Sequence, residues 1–204
     1  MAWPTSPPQN GGGSFSSRAE QGPPSDPEER ARALCLRLLT GTPRTRGQLA
    51  EALRRRGIPD EVAEHVLSRF EDVGLIDDAA FADAWVESRH HGRGLARRAL
   101  ARELRTRGIE SGLVERAVER LDPQQEERTA RELVDRRLRA TCGLERDRRI
   151  RRLAGMLARK GYAEGLALRV IRRALEEEAQ REGKAMDEIG MEYLEEYLPD
   201  APQD

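Results

Sequence analysis

The sequence predicts an all-α protein, an elongated and curved array of three tandem three-helix repeats, and three observations carry that expectation. First, Gly57, Gly108 and Gly161 stand 51 and 53 residues apart and each closes the same motif, L-A-x-x-L-x-x-[RK]-G. Leu49, Leu100 and Leu153 open it; Ala50, Ala101 and Ala154 follow; Leu53, Leu104 and Leu157 come next; Arg56, Arg107 and Lys160 precede the glycine. Second, the residues after each glycine repeat an apolar stripe: Val62, Ala63, Val66, Leu67 and Phe70; then Leu113, Val114, Ala117, Val118 and Leu121; then Leu166, Ala167, Val170, Ile171 and Ala174. That spacing lies on one face of a 3.6-residue helix. Third, no segment shows the period-two alternation of a half-buried strand.

Each element has a local reason. Residues 1–27 are rich in Pro, Gly and Ser and cannot bury enough apolar surface to offset their ordering entropy, so a disordered leader is expected there. Its glycine run, Gly11-Gly12-Gly13, lacks the G-K-[ST] of a phosphate loop. The motif glycines supply the left-handed residue that ends a helix, and the Arg or Lys before each suits a helix C-terminus. Pro59 and Asp60 reopen the chain into the next helix. A further helical segment precedes each pair, at 31–39, 79–88 and 128–139. The expected units are therefore 28–76, 77–125 and 126–178, with an acidic tail at 179–204. A unit of about 50 residues is too small to be secure alone, so neighbours should share apolar faces.

Composition narrows the function classes. Hydrophobic residues are 37% and charged residues 36%, which favours thin helical layers over one deep core. The net charge of −1 hides a split: Glu28–Leu175 holds 33 bases and 24 acids, whereas Glu176–Asp204 holds 11 acids and 2 bases. A basic body points to a polyanionic or acidic partner, with a tail that competes for the same surface. The bases cluster around the second helix of each unit, and between Ser88 and Arg107 the only acid is Glu103. The contact candidates are Arg89, Arg93, Arg97, Arg98, Arg102, Arg105 and Arg107, with Arg148, Arg149 and Arg152 in the third unit. With aromatics at 4%, no base-stacking platform is expected, and nucleic-acid contacts should be to phosphate, weak and without sequence preference.

Catalytic and metal chemistry find little footing. His65 reads as a half-buried packing residue, and the adjacent His90 and His91 as exposed members of the basic patch rather than metal ligands. Asp77 and Asp78 read as a helix cap. Gly92-Arg93-Gly94 reads as a basic loop, not a dinucleotide fingerprint, because no strand precedes it. Cys35 sits among leucines as a core thiol, and Cys142 is isolated. No enzyme activity, cofactor or metal is expected. The absence of a signal segment and of a membrane-length apolar run points to a cytoplasmic protein, expected to be a monomer.

The string Gly74-Leu75-Ile76-Asp77-Asp78-Ala79-Ala80-Phe81-Ala82, followed by Arg89, Gly94 and Glu103-Leu104-Arg105-Thr106-Arg107-Gly108-Ile109, resembles the RecX regulatory proteins over roughly residues 30–178. The resemblance implies tandem three-helix repeats seated in the helical groove of a RecA–DNA filament. It implies inhibition of RecA ATPase, strand exchange and coprotease activity, and hence negative regulation of recombination, DNA repair and the SOS response. It carries over the Asp77-Asp78 turn and Phe81 as structural and the basic run from Arg89 to Arg107 as contacts; the three motif glycines are structural on the repeat itself. The rival reading is a helix-turn-helix transcription regulator, which would show sequence preference and dimeric half-site spacing.

Overall fold

The computed structural model describes residues 26–197, with side chains described through residue 183. The expected leader at 1–27 therefore lies almost wholly outside the described residues. Those residues form nine α-helices, one 3-10 turn and no strand, so the all-α expectation holds. The helices are α1 (Pro27–Gly41), α2 (Arg46–Arg55), α3 (Asp60–Asp72), α4 (Asp78–Arg93), α5 (Arg97–Thr106), α6 (Ser111–Glu119), α7 (Pro123–Leu138), α8 (Arg146–Arg159) and α9 (Glu164–Tyr197).

Packing groups these helices in threes: α1, α2 and α3 contact one another, as do α4, α5 and α6, and α7, α8 and α9. Each group buries its own apolar cluster. The motif leucines are the centre of each cluster: Leu53, Leu104 and Leu157 are fully buried, and so in effect are Leu49, Leu100 and Leu153. Each such side chain stabilises the fold by roughly 1.5–3 kcal/mol through burial. All fifteen stripe positions after the glycines are buried or partly buried. Gly57, Gly108 and Gly161 have φ of +68°, +79° and +87°, the left-handed conformation that turns the chain between the second and third helix.

Short-range chemistry starts the helices. Thr45 and Gln48 form a reciprocal capping box on α2. Asp26 and Asp122 cap α1 and α7, each just ahead of a proline at the first helical position. Asp77 caps α4 by accepting from Ala80 N at 2.8 Å.

The groups are joined by a latch that occurs twice. The first amide of α2, Arg46 N, donates to Asp78 Oδ1 of α4 at 2.8 Å, and Thr45 Oγ1 donates to Arg107 O at 2.5 Å. The first amide of α5, Arg97 N, donates to Glu126 Oε1 of α7 at 3.2 Å, and Ala96 N donates to Lys160 O at 2.9 Å. In both, the open N-terminus of one group's middle helix is capped by a carboxylate from the next group's first helix. That arrangement satisfies orphan amides and places negative charge at the positive end of the helix dipole. In both, the same helix start also presses on the next glycine turn. Gly47 lies against Gly108, and Ala99 against Gly161, so closely that a Cβ on either turn glycine would meet the opposing residue. At α8 the pattern stops, because its own Glu145 caps the Asp147 and Arg148 amides.

Several expectations need correction. The first helix of each group is longer than its periodic core: α4 runs on to Arg93, so Gly92 and Arg93 are helical and only Gly94 leaves, in the left-handed conformation. The start of α7 at Pro123 places a boundary at 125/126 inside its first turn. Nor does the chain break near residue 178, since α9 carries the third group's last helix onward to Tyr197 as one 34-residue element. The side chains of the acidic stretch beyond residue 183 lie outside the described residues.

Candidate polyanion-binding surface

Helix α5 is sharply two-faced. Ala99, Leu100, Ala101 and Leu104 are buried, while Arg98, Arg102 and Arg105 are exposed at i, i+4 and i+7 on one stripe. Among the described residues no carboxylate pairs with these three; the ion pairs of the region belong to Arg89 and Arg97. Arg93 is likewise exposed at the end of α4. In the third group Arg148 and Arg152 are exposed on α8 with Arg151 beside them. Of the arginine candidates, these are the ones that are exposed.

The other arginine candidates are half-buried and lie against groups of the molecule itself. Arg97 donates to the Leu121 carbonyl and lies 3.6 Å from Glu126, which is 8% exposed. Arg149 donates to Glu178 at 2.6 Å and also reaches Thr141 Oγ1 and the Leu138 carbonyl. Arg89 pairs with Glu103 at 3.5 Å and lies over the Trp85 ring at 4.1 Å. Arg107 lies over the same ring at 3.6 Å. Burial first, and then the neighbouring Arg89 charge, lower the Arg107 guanidinium below its usual range. In the first group Arg54 and Arg55 both pair with Glu51, and Arg46 with Glu64 and Glu71. The cationic rows therefore do not recur equally: Arg54 and Arg55 of the first group are paired, whereas α5 and α8 each carry exposed arginines with no described ion pair.

The acidic stretch is partly spent before residue 183. Glu177 meets Arg131 at 2.7 Å and Arg173 at 3.0 Å, and these guanidiniums hold its carboxyl down at about 2. Glu178 takes Arg149.

Two of the three histidines fall elsewhere than expected. His90 is fully buried, with Nδ1 2.9 Å from Leu95 O and Nε2 3.0 Å from Thr129 Oγ1. A carbonyl oxygen only accepts, so Nδ1 carries a proton and the ring bridges α4 to α7. His91 is exposed, and its neighbour is turned inward by the 100° step between adjacent helical positions. His65 is exposed, because the α3 stripe through Ala63, Val66, Leu67 and Phe70 faces away from it. Phe81 and Trp85 stack on each other, at 5.7 Å between centroids; both are partly buried, pack against the second group's core and line a groove. Among the described residues no three His, Cys, Asp or Glu side chains gather as a metal site. No described helix is long and apolar enough to cross a membrane.

Two family descriptions match the chain: "RecX, first three-helix domain" over residues 31–70 and "RecX, second three-helix domain" over 77–118. The regulatory protein RecX of Streptomyces coelicolor is 73% identical over 173 residues, covering 84% of this chain and 92% of that protein. That of Thermobifida fusca is 64% identical over 155 residues, covering 76% and 84%. The crystal structure of RecX from Lactobacillus salivarius superposes with a TM-score of 0.69 at 17% identity, over 72% of this chain and 96% of that one, which speaks to the fold.

Proposed function

Since the chain belongs to the RecX family of regulatory proteins, we propose that it is a non-enzymatic negative regulator of recombination and DNA repair that binds a RecA–DNA filament. Bound there, it restrains the filament's ATPase, strand-exchange and coprotease activities. It works in the cytoplasm as a monomer, without cofactor or metal.

The observation that carries this reading is the α5 stripe. Arg98, Arg102 and Arg105 project from a helix whose N-terminus is latched to the next group, so the three charges share one stiff support. A row of this kind binds a polyanion by releasing its counterions and gains on-rate from the summed field. The contacts it makes are to phosphates or to acidic protein surface, and these position without reading sequence. Binding of free DNA is accordingly weak and indifferent to sequence. Affinity for a filament comes from engaging protein and nucleic acid together.

The test is RecA ATPase on single-stranded DNA with this protein titrated in, beside the variant Arg98→Glu, Arg102→Glu, Arg105→Glu. The native chain should inhibit at substoichiometric or near-stoichiometric ratios, and the variant should need at least ten times more protein. Absence of inhibition by the native chain removes the reading. Full inhibition by a folded variant moves the contact surface away from α5.

A further inference from the structure

A groove of about 640 Å³ runs between the first two helix groups, within the size range of ligand clefts. Leu39, Pro43, Leu75, Ala80, Phe81 and Trp85 give it a mainly apolar lining, and Arg44 and Arg107 stand at its edges. Leu75 is 48% exposed, one of three large hydrophobic residues so placed among the described residues. We propose that this groove docks an acidic protein segment carrying one or two bulky apolar side chains, the apolar groups resting on Leu75 and Phe81 and the carboxylates meeting Arg44 and Arg107.

Charge selects the occupant. The Arg44 Nε is buried and has no hydrogen-bond partner in the structure, a donor desolvated without compensation. Arg107 is crowded by Arg89 on the same indole. Two acids stand against three guanidiniums here: Asp77, in the groove lining, caps α4, and Glu103 accepts from the Trp85 indole and is shared between Arg89 and Arg107. An incoming carboxylate therefore meets under-compensated guanidiniums, where charge-assisted hydrogen bonds are strongest. A hydrophobic side chain between two acidic neighbours fits the apolar floor and the cationic edge together.

Single-stranded nucleic acid is the other occupant that arginines and aromatics suggest, and the geometry disfavours it. Base stacking needs an open ring face. Trp85 already carries two guanidiniums at 3.6 and 4.1 Å and stacks on Phe81 at an interplanar angle of 11°.

The experiment follows the Trp85 indole resonance of the full chain in a Trp3→Phe background. The probe is a synthetic, end-blocked hexapeptide of four glutamates flanking one leucine and one phenylalanine. Two control peptides replace the glutamates by glutamine, or the leucine and phenylalanine by alanine. The hexapeptide should shift the resonance saturably, and each control should bind at least tenfold more weakly. Leu75→Asp and Arg44→Ala should each weaken hexapeptide binding at least tenfold with an unchanged melting temperature. No saturable shift, equal binding of either control, or binding indifferent to Leu75→Asp overturns the proposal. So does oligothymidylate that gives the saturable shift and is itself blocked by Leu75→Asp, which would make the groove a nucleic-acid site. The proposal does not depend on the α5 stripe: RecA inhibition by the α5 variant is read separately, and either result can stand without the other.

Discussion

The Trp85 indole Nε1 donates to Glu103 Oε2 at 2.9 Å, and the same oxygen lies 3.5 Å from Arg89 Nε. The single acid between Ser88 and Arg107 thus holds an aromatic ring and one cation in place. Its hydrogen bond outweighs its ion pair, because both charged groups are about a quarter to a third exposed and screened, at 24% and 32%. Glu103→Gln keeps an acceptor for the indole and should cost under about 0.5 kcal/mol, whereas Glu103→Ala strands the indole N–H and should cost about 1–2 kcal/mol. Urea unfolding checks the pair. Equal losses would mean that charge, not the indole bond, does the holding.

The three motif glycines share a conformation but not a setting. Beside Gly57 there is open space; a Cβ on Gly108 would lie 3.0 Å from Gly47 Cα, and one on Gly161 would lie 2.7 Å from Ala99 Cβ. Gly57→Ala should therefore cost only the left-handed strain, roughly 1–2 kcal/mol. Gly108→Ala and Gly161→Ala should add a further 1–3 kcal/mol or so, roughly the cost of overpacking, because two groups must move apart. Comparable losses at Gly57 and Gly161 would show that the joints give way freely.

The helices and cores were legible because they rest on local rules: Leu53, Leu104 and Leu157 recur at one spacing, and each glycine ends a helix where a left-handed residue is required. The latches were not. Asp78 reads as a cap of its own helix, but it reaches Arg46 N, 32 residues back. Arg97 reads as one more cation in a basic run, yet it faces Glu126 and the Leu121 carbonyl. A signal did exist: Arg46 and Arg97 stand at the same distance before their glycines, and an acid stands in the first turn of the next group's first helix each time. His90 was hidden differently, since nothing local distinguishes it from His91 until α7 packs over one of them.

Burial raises the Asp78 carboxyl above its usual range, although Arg46 N donates to it. A carboxyl raised in the folded state binds more protons folded than unfolded, so this group's contribution to stability grows as pH falls. Glu177 runs the other way: held at about 2, it supports the fold above the ordinary carboxylate range and loses that support as pH falls toward 2. Asp78→Asn should retain the latch and cost little at pH 7, and relative to the native chain it should lose stability as pH falls into the carboxylate range, because the group that binds more protons folded is gone. Asp78→Ala should lose a further roughly 1–2 kcal/mol relative to Asp78→Asn at every pH, through the uncapped amide. Thermal melts of both chains from neutral pH into that range decide it; a native-minus-variant difference that shrinks as pH falls would contradict the assignment.

The two thiols should differ in rate. Cys35 is fully buried, and burial pushes its thiol up to about 11, whereas Cys142 is exposed. The thiolate is the nucleophile, so a disulfide reagent at pH 8 should modify one thiol within seconds to minutes and the other only as the first group opens. Sub-denaturing urea should accelerate the slow phase alone. Two equal fast phases would place Cys35 at the surface.

Arg97 and Arg98 are neighbours in sequence with opposite duties, and salt separates them. Arg97→Gln leaves Glu126 without its guanidinium and the Leu121 carbonyl without its donor, which should cost about 1–3 kcal/mol of stability. Arg98→Gln, Arg102→Gln and Arg105→Gln together touch no described ion pair and should leave the melting temperature within a few degrees. Their effect belongs to binding. If all three meet phosphates, the slope of log affinity against log salt for single-stranded DNA should fall in magnitude by about 2, near 0.7 for each phosphate no longer neutralised. Arg97→Gln, measured where it remains folded, should leave that slope alone. A slope that tracks Arg97 rather than the Arg98 stripe would mean that the latch opens to meet DNA, so that this helix start, and not the α5 surface, is what a polyanion engages.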